Sequence, residues 1–197
     1  MLRSLTAVGA ALTMAFPAAG QECRATLQSQ PLAWSALRTK EQPDTAQMKL
    51  FIETTCKDCD PKIVVEVFAG AASASFRSKP IAQKTGTEFA EAIVSDPRER
   101  SDFLDTTLAS ERLLSPGCVM DGRIDGVSRI GSVGMVVANL RAECDRAPEK
   151  LRAVFFSGYD GQCLYRVRVM WPGWAGLSEG AQDQALEVLD KIRFGGP

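Results

Sequence analysis

Leu151-Arg-Ala-Val-Phe-Phe156 and Gln162-Cys-Leu-Tyr-Arg-Val-Arg-Val-Met-Trp171 are two runs of β-branched and aromatic residues, and Tyr159-Asp160-Gly161 lies between them. Asp-Gly between two such runs is hairpin chemistry, because glycine accepts the positive φ that a tight turn demands. In the second run Cys163, Tyr165, Val167, Val169 and Trp171 fall on one face, and Leu164, Arg166, Arg168 and Met170 on the other. The first face reads as core and buries Cys163. The second is amphipathic. Arg141 and Arg152 on neighbouring strands extend it into a basic stripe, either a solvated sheet face or a surface for carboxylates and acidic partners. Trp171-Pro172-Gly173-Trp174 then sets two tryptophans across a tight turn. Buried, they cap the core; exposed, they anchor a partner. Aromatic residues make up only 7% of the chain, which favours burial.

Outward from this hairpin, Gly131 to Leu140 is a further strand-like run, so the C-terminal half reads as an antiparallel meander. The segment opening at Ser178 places Ala181, Ala185, Val188, Leu189 and Ile192 at helical spacing and closes the chain with an amphipathic helix. Upstream, Thr85 and Glu88 have the spacing of a capping box before Phe89, Ala92 and Ile93. Asp96-Pro97 starts a second helix, with Phe103, Leu104 and Leu108 on its buried side, and Ser115-Pro116-Gly117 stops it. Gly70 to Ser75 reads as a small-residue loop, and the region around Trp34 as a short helix or irregular packing segment. Two strands, Gln47 to Thr55 and Lys62 to Phe68, complete the order strand-strand, helices, strands, helix. That order predicts a single α+β domain over residues 21–197, an antiparallel sheet with helices packed on it, one form of which is an α/β/α sandwich.

Between the first two strands the chain reads Thr54-Thr55-Cys56-Lys57-Asp58-Cys59-Asp60-Pro61. A CxxC pair serves as a redox couple, a metal clip or a staple. A redox cysteine gains from a helix N-terminus that favours its thiolate. Here strands flank the pair, and Asp58 and Asp60 disfavour a thiolate at Cys59, with only Lys57 acting the other way. A zinc site would need four thiolates, because the chain has no histidine, and no second CxxC supplies them. No metal or other cofactor is therefore expected. A disulfide pinning the turn, within the pair or from each member to a distant cysteine, is the favoured reading.

Residues 1–20 carry Arg3, an apolar stretch from Leu5 to Phe16 and then Pro17-Ala-Ala-Gly20, with no acidic residue. This is the pattern of a secretory signal peptide cleaved before Gln21. It places the mature chain in the periplasm or outside the cell. All six cysteines, Cys23, Cys56, Cys59, Cys118, Cys144 and Cys163, lie beyond the leader, and an even set in an oxidising compartment reads as a disulfide framework with fifteen possible pairings. The formal net charge is −1, and losing Arg3 with the leader takes it to −2, which argues against a nucleic-acid partner. No further apolar run has the length of a membrane span. Without histidine there is no Ser-His or Cys-His nucleophile, and no pair of acidic residues stands out as a glycosidase-like couple.

Asp160-Gly-Gln-Cys-Leu-Tyr-Arg-Val-Arg-Val169, followed by Ala185-Leu-Glu-Val-Leu-Asp-Lys-Ile-Arg-Phe194, resembles the end of PsbP/Mog1-type α/β/α sandwich domains. There, a strand with a glycine and tyrosine core precedes a helix that runs into an Ile-x-Phe element. The resemblance spans about forty residues and implies a non-catalytic accessory or binding module; it carries over no functional residue. The expected function is therefore an exported, disulfide-stabilised binding protein for another envelope protein or a small ligand. The alternatives are a thiol–disulfide oxidoreductase using Cys56 and Cys59, and an inhibitor or immunity-type protein.

Overall fold

The computed structural model describes residues 22–31, 34, 48–56, 58–146 and 148–195. The leader, Lys57 and the neighbours of Trp34 lie outside the described residues. Trp34 itself is buried in the core and forms an isolated antiparallel bridge with Cys56.

Six strands make one antiparallel sheet in the order β2-β3-β7-β6-β5-β4. They are β2 (Lys49–Cys56), β3 (Ile63–Ala71), β4 (Cys118–Ile130), β5 (Val133–Cys144), β6 (Lys150–Tyr159) and β7 (Cys163–Pro172). Two short strands, β1 (Ala25–Leu27) and β8 (Ile192–Phe194), pair with each other and bring the start of the described chain against its end. The helices are α1 (Ala74–Arg77), α2 (Gly86–Ser95), α3 (Pro97–Leu114) and α4 (Glu179–Lys191). The architecture is the expected α+β one. The strand at Cys118–Ile130 has no clean alternation in its sequence, since exposed Asp121, Arg123, Asp125, Ser128 and Arg129 break it up.

The β6–β7 hairpin is fixed by Asp160. One carboxylate oxygen accepts from the backbone N–H groups of Gln162 (2.9 Å) and Cys163 (2.7 Å), and the other accepts from the Tyr165 hydroxyl at 2.7 Å. Gly161 holds the turn at φ 105°. Burial, joined by the Asp160 carboxylate, holds the Tyr165 hydroxyl pKa well above its usual value, so it stays a donor.

Helix α3 begins where Asp96 accepts from the N–H groups of Arg98 (2.8 Å) and Glu99 (3.2 Å). Helix α4 begins where Ser178 accepts from Ala181. Thr85 occupies the N-cap of α2 without a side-chain hydrogen bond, so the capping box does not form there. Gly70 and Ala71 belong to β3 rather than to a loop, and Ser73 caps the four-residue α1.

The sheet has a core on each side. On one side α4 packs Ala181, Ala185, Val188 and Leu189 over Val65, Val67, Tyr165, Val167 and Val169. On the other, Phe89, Ala90 and Ile93 of α2 and Leu108 of α3 pack over Val136, Ala138, Leu140 and Phe155. Gly134 of β5 permits the close approach of α2, because a Cβ there would lie 2.4 Å from Thr87 Cα. Helix α3 also covers the outer edge of β4. Arg100 donates to the Ile124 carbonyl at 2.7 Å and Arg112 to that of Met120 at 3.4 Å, so an edge open to strand pairing is partly occupied.

Candidate functional site

All six cysteines pair: Cys23 with Cys163, Cys56 with Cys59, and Cys118 with Cys144. The first joins residues 140 apart and fastens the segment leading into β1 to the start of β7. The CxxC bridge closes the end of the β2–β3 hairpin. Cys56 is wholly buried and bridged to Trp34 through the backbone, and it ends a strand rather than opening a helix. Chain-entropy arithmetic assigns about 5 kcal/mol to a loop of that first length and about 2 kcal/mol to the short one.

The four arginines of the expected stripe separate. Arg166 and Arg168 face α2 and α3. The register Asp121–Arg141–Arg152–Trp171 runs across β4, β5, β6 and β7 and puts Arg141 and Arg152 on the α4 side of the sheet. The stripe is therefore two sites on opposite faces.

On the covered face, Arg168 is 8% exposed and ion-pairs with Glu66 at 3.2 Å and Glu111 at 3.3 Å. Arg166 reaches the other oxygen of Glu111, also at 3.3 Å. Phe68 and Phe155 lie 5.8 Å from the Arg168 guanidinium, and Met170 sulfur accepts from it. Burial raises the Glu111 carboxyl above its usual pKa, against the pull of Arg168 and Arg166. Burial likewise lowers Arg166, against Glu111. Desolvation thus outweighs attraction for both partners, as expected of an ion pair taken out of water. Two cations against two anions leave no net charge to recruit a ligand. Glu111 went unread in the sequence, although it falls in phase with Leu104 and Leu108 on α3; a carboxylate on an apolar stripe calls for a buried cation.

On the α4 face, among the described residues, the cover stops partway. Helix α4 lies over β3 and β7, while Val119, Asp121 and Arg123 of β4, Arg141 and Glu143 of β5 and Lys150 of β6 are exposed. Here the two tryptophans divide. Trp171 is buried and donates from its indole to the Ala175 carbonyl at 2.9 Å. Trp174 is 40% exposed. The Lys150 ammonium sits 4.6 Å from the centre of the Trp174 ring, and Arg152 donates to the Trp174 carbonyl at 3.2 Å while lying over Trp171. Among the described residues no ion pair includes Arg141, Lys150 or Arg152. Glu143 and Asp121 stand across the strand pairs from Lys150 and Arg141, so the patch is cationic at its centre and mixed at its rim. A partly exposed indole beside three neighbouring cations suits a carboxylate-bearing group that also presents apolar surface.

A third feature is a cleft of about 480 Å³ at the same end of the molecule, between the α3–β4 turn and the β5–β6 connection. Its wall includes both sulfurs' residues of the Cys118–Cys144 bridge.

No known family matches the chain, and no curated protein matches it. A crystal structure of a protein from Bacteroides thetaiotaomicron is similar at a TM-score of 0.37 and 12% identity over 88% of this chain. This chain covers 48% of that one, about half its length, and a likeness at that level assigns neither family nor activity. Among the described residues no helix is long and apolar enough to cross a membrane.

Proposed function

We propose that the chain is an exported, non-catalytic binding protein. In this reading it holds an acidic segment of another envelope protein on the uncovered half of its sheet. The observation that supports this is half-exposed Trp174 with Lys150 over its ring and Arg152 on its carbonyl, and Arg141 across the strand pair from Arg152, with none of the three cations in an ion pair among the described residues. Export rests on the leader pattern and suits three disulfides. The C-terminal order of β7, α4 and β8 is compatible with the PsbP/Mog1-type resemblance, and an accessory role would follow from it. An inhibitor or immunity-type protein is a special case of the same binding chemistry.

Titration with hexaglutamate, followed by the indole N–H of Trp174 and the backbone amides, tests the proposal. Expected are shifts confined to Arg141, Lys150, Arg152 and Trp174, weakening as salt rises because the contacts are exposed charges. Arg152→Glu should abolish them. Shifts at unrelated surfaces, or none at low salt, would overturn the reading. The oxidoreductase alternative has less support: Cys56, its attacking thiol, is bridged and has no exposure.

A further inference from the structure

The three bridges differ in what an incoming thiolate would meet. Exchange requires the attacker to reach one sulfur in line and the other cysteine to depart as a thiolate, and departure is disfavoured where that thiolate would be buried away from water. In the Cys56–Cys59 bridge only Cys59 is accessible, so attack there expels Cys56 into the core. Asp58 and Asp60 on either side of Cys59 also repel an anionic attacker. In the Cys23–Cys163 bridge only Cys23 is accessible, and Cys163, 2% exposed, would be the buried leaving group. Cys118 and Cys144 are both partly exposed at the margin of the core on the covered face, and both line the open cleft together with Pro116, Gly117, Arg146, Pro148 and Leu151. Either sulfur can be attacked, and either can leave toward water. Arg146 supplies positive charge on the same wall, with Asp145 beside it partly offsetting that charge.

We propose that Cys118–Cys144 is a thiol–disulfide exchange site, a function separate from the contact surface around Trp174. A thiolate of an external dithiol attacks one sulfur and forms a mixed disulfide; the S–S bond breaks, and the other cysteine departs with the electron pair and takes a proton from water. The second thiol of the dithiol, as its thiolate, then attacks the mixed disulfide. The dithiol ends as a disulfide, oxidised by two electrons, and Cys118 and Cys144 end as thiols. Reduction would remove the covalent tie between the turn after α3 and the β5–β6 connection and leave the two held by the Cys118–Cys144 strand pairing and the Asp145 N–H to Gly117 carbonyl bond.

The test uses the oxidised full chain under native conditions, with dithiothreitol as the dithiol and reduced glutathione as the monothiol. Aliquots are acid-quenched, alkylated and peptide-mapped over time. The proposal expects Cys118 and Cys144 to label at least about tenfold faster than the other four cysteines. With glutathione it expects the mixed disulfide on one of those two. Labelling of Cys56 and Cys59 first, or of Cys23 and Cys163 first, would overturn it. So would labelling of all six together, which would mean that reduction follows global opening.

Discussion

Arg166 and Arg168 lie on the same sheet as Arg141 and Arg152, yet the fold treats the two pairs in opposite ways. The first pair lies under α3 against Glu111 and Glu66, Arg168 buried and Arg166 with 17% of its side chain exposed, where every cation has an anion and the cluster is electrically closed. The second stands on the other face at an end that no described element covers, with Arg152 over the Trp171 ring and bonded to the Trp174 carbonyl. Arginine count alone says nothing about which pair is available to a partner; the position of the covering helix decides it.

The sharpest way to break the closed site is Glu111→Ala, which leaves two buried guanidiniums facing only Glu66. Urea unfolding should show a loss of about 3 kcal/mol, with hexaglutamate binding unchanged when measured on the folded fraction. Glu111→Gln keeps an acceptor and should cost less. It also gives a pH signature. Burial lifts the folded carboxyl above 4.5, so the native state binds its proton more readily than the unfolded chain. Stability tied to this group therefore falls as pH rises from 4.5 through the raised value, and Glu111→Gln should flatten that part of the stability curve.

Next in size is Gly134→Ala, which pushes a Cβ to 2.4 Å from Thr87 Cα and must displace α2 from the covered face. Thermal and urea unfolding should report a loss of about 1–3 kcal/mol. On the open face the expectations reverse. Trp174→Ala, which also removes the indole N–H bond to the Ala142 carbonyl, should cost about 1 kcal/mol of stability yet remove most hexaglutamate binding. Arg141→Ala, the mildest, should leave stability within about 0.5 kcal/mol and weaken binding a few-fold, more at low salt than at high.

Strand periodicity was enough to place Cys163, Tyr165, Val167, Val169 and Trp171 together in the core, and Asp96-Pro97 and Ser178 were enough to start two helices. These are local chemistries, set by neighbours in the chain. What covers a sheet face is not local. Alternation puts Arg166 and Arg168 opposite Tyr165 and Val167, but burial of those arginines depends on α3, whose Glu111 lies 55 residues before Arg166 in sequence. The joining of Arg141 and Arg152 to the wrong face had the same origin: it needed the register between strands, which the individual runs do not encode. The pairing of six cysteines was likewise open in the sequence, and three-dimensional proximity resolves it. For the two tryptophans, Trp171 follows the strand's inward phase, while Trp174 lies beyond the strand's end, where phase no longer applies.

Arginine footprinting with phenylglyoxal, mapped by peptide in the absence and presence of hexaglutamate, separates the two arginine pairs most directly. Arg141 and Arg152 should react in the protein alone and be protected by the acidic peptide, whereas Arg166 and Arg168 should stay unreactive in both samples. Reaction at Arg166 or Arg168 in the folded protein, or equal reaction of Arg141 and Arg152 with and without the peptide, would contradict the division between a closed structural face and an open binding one.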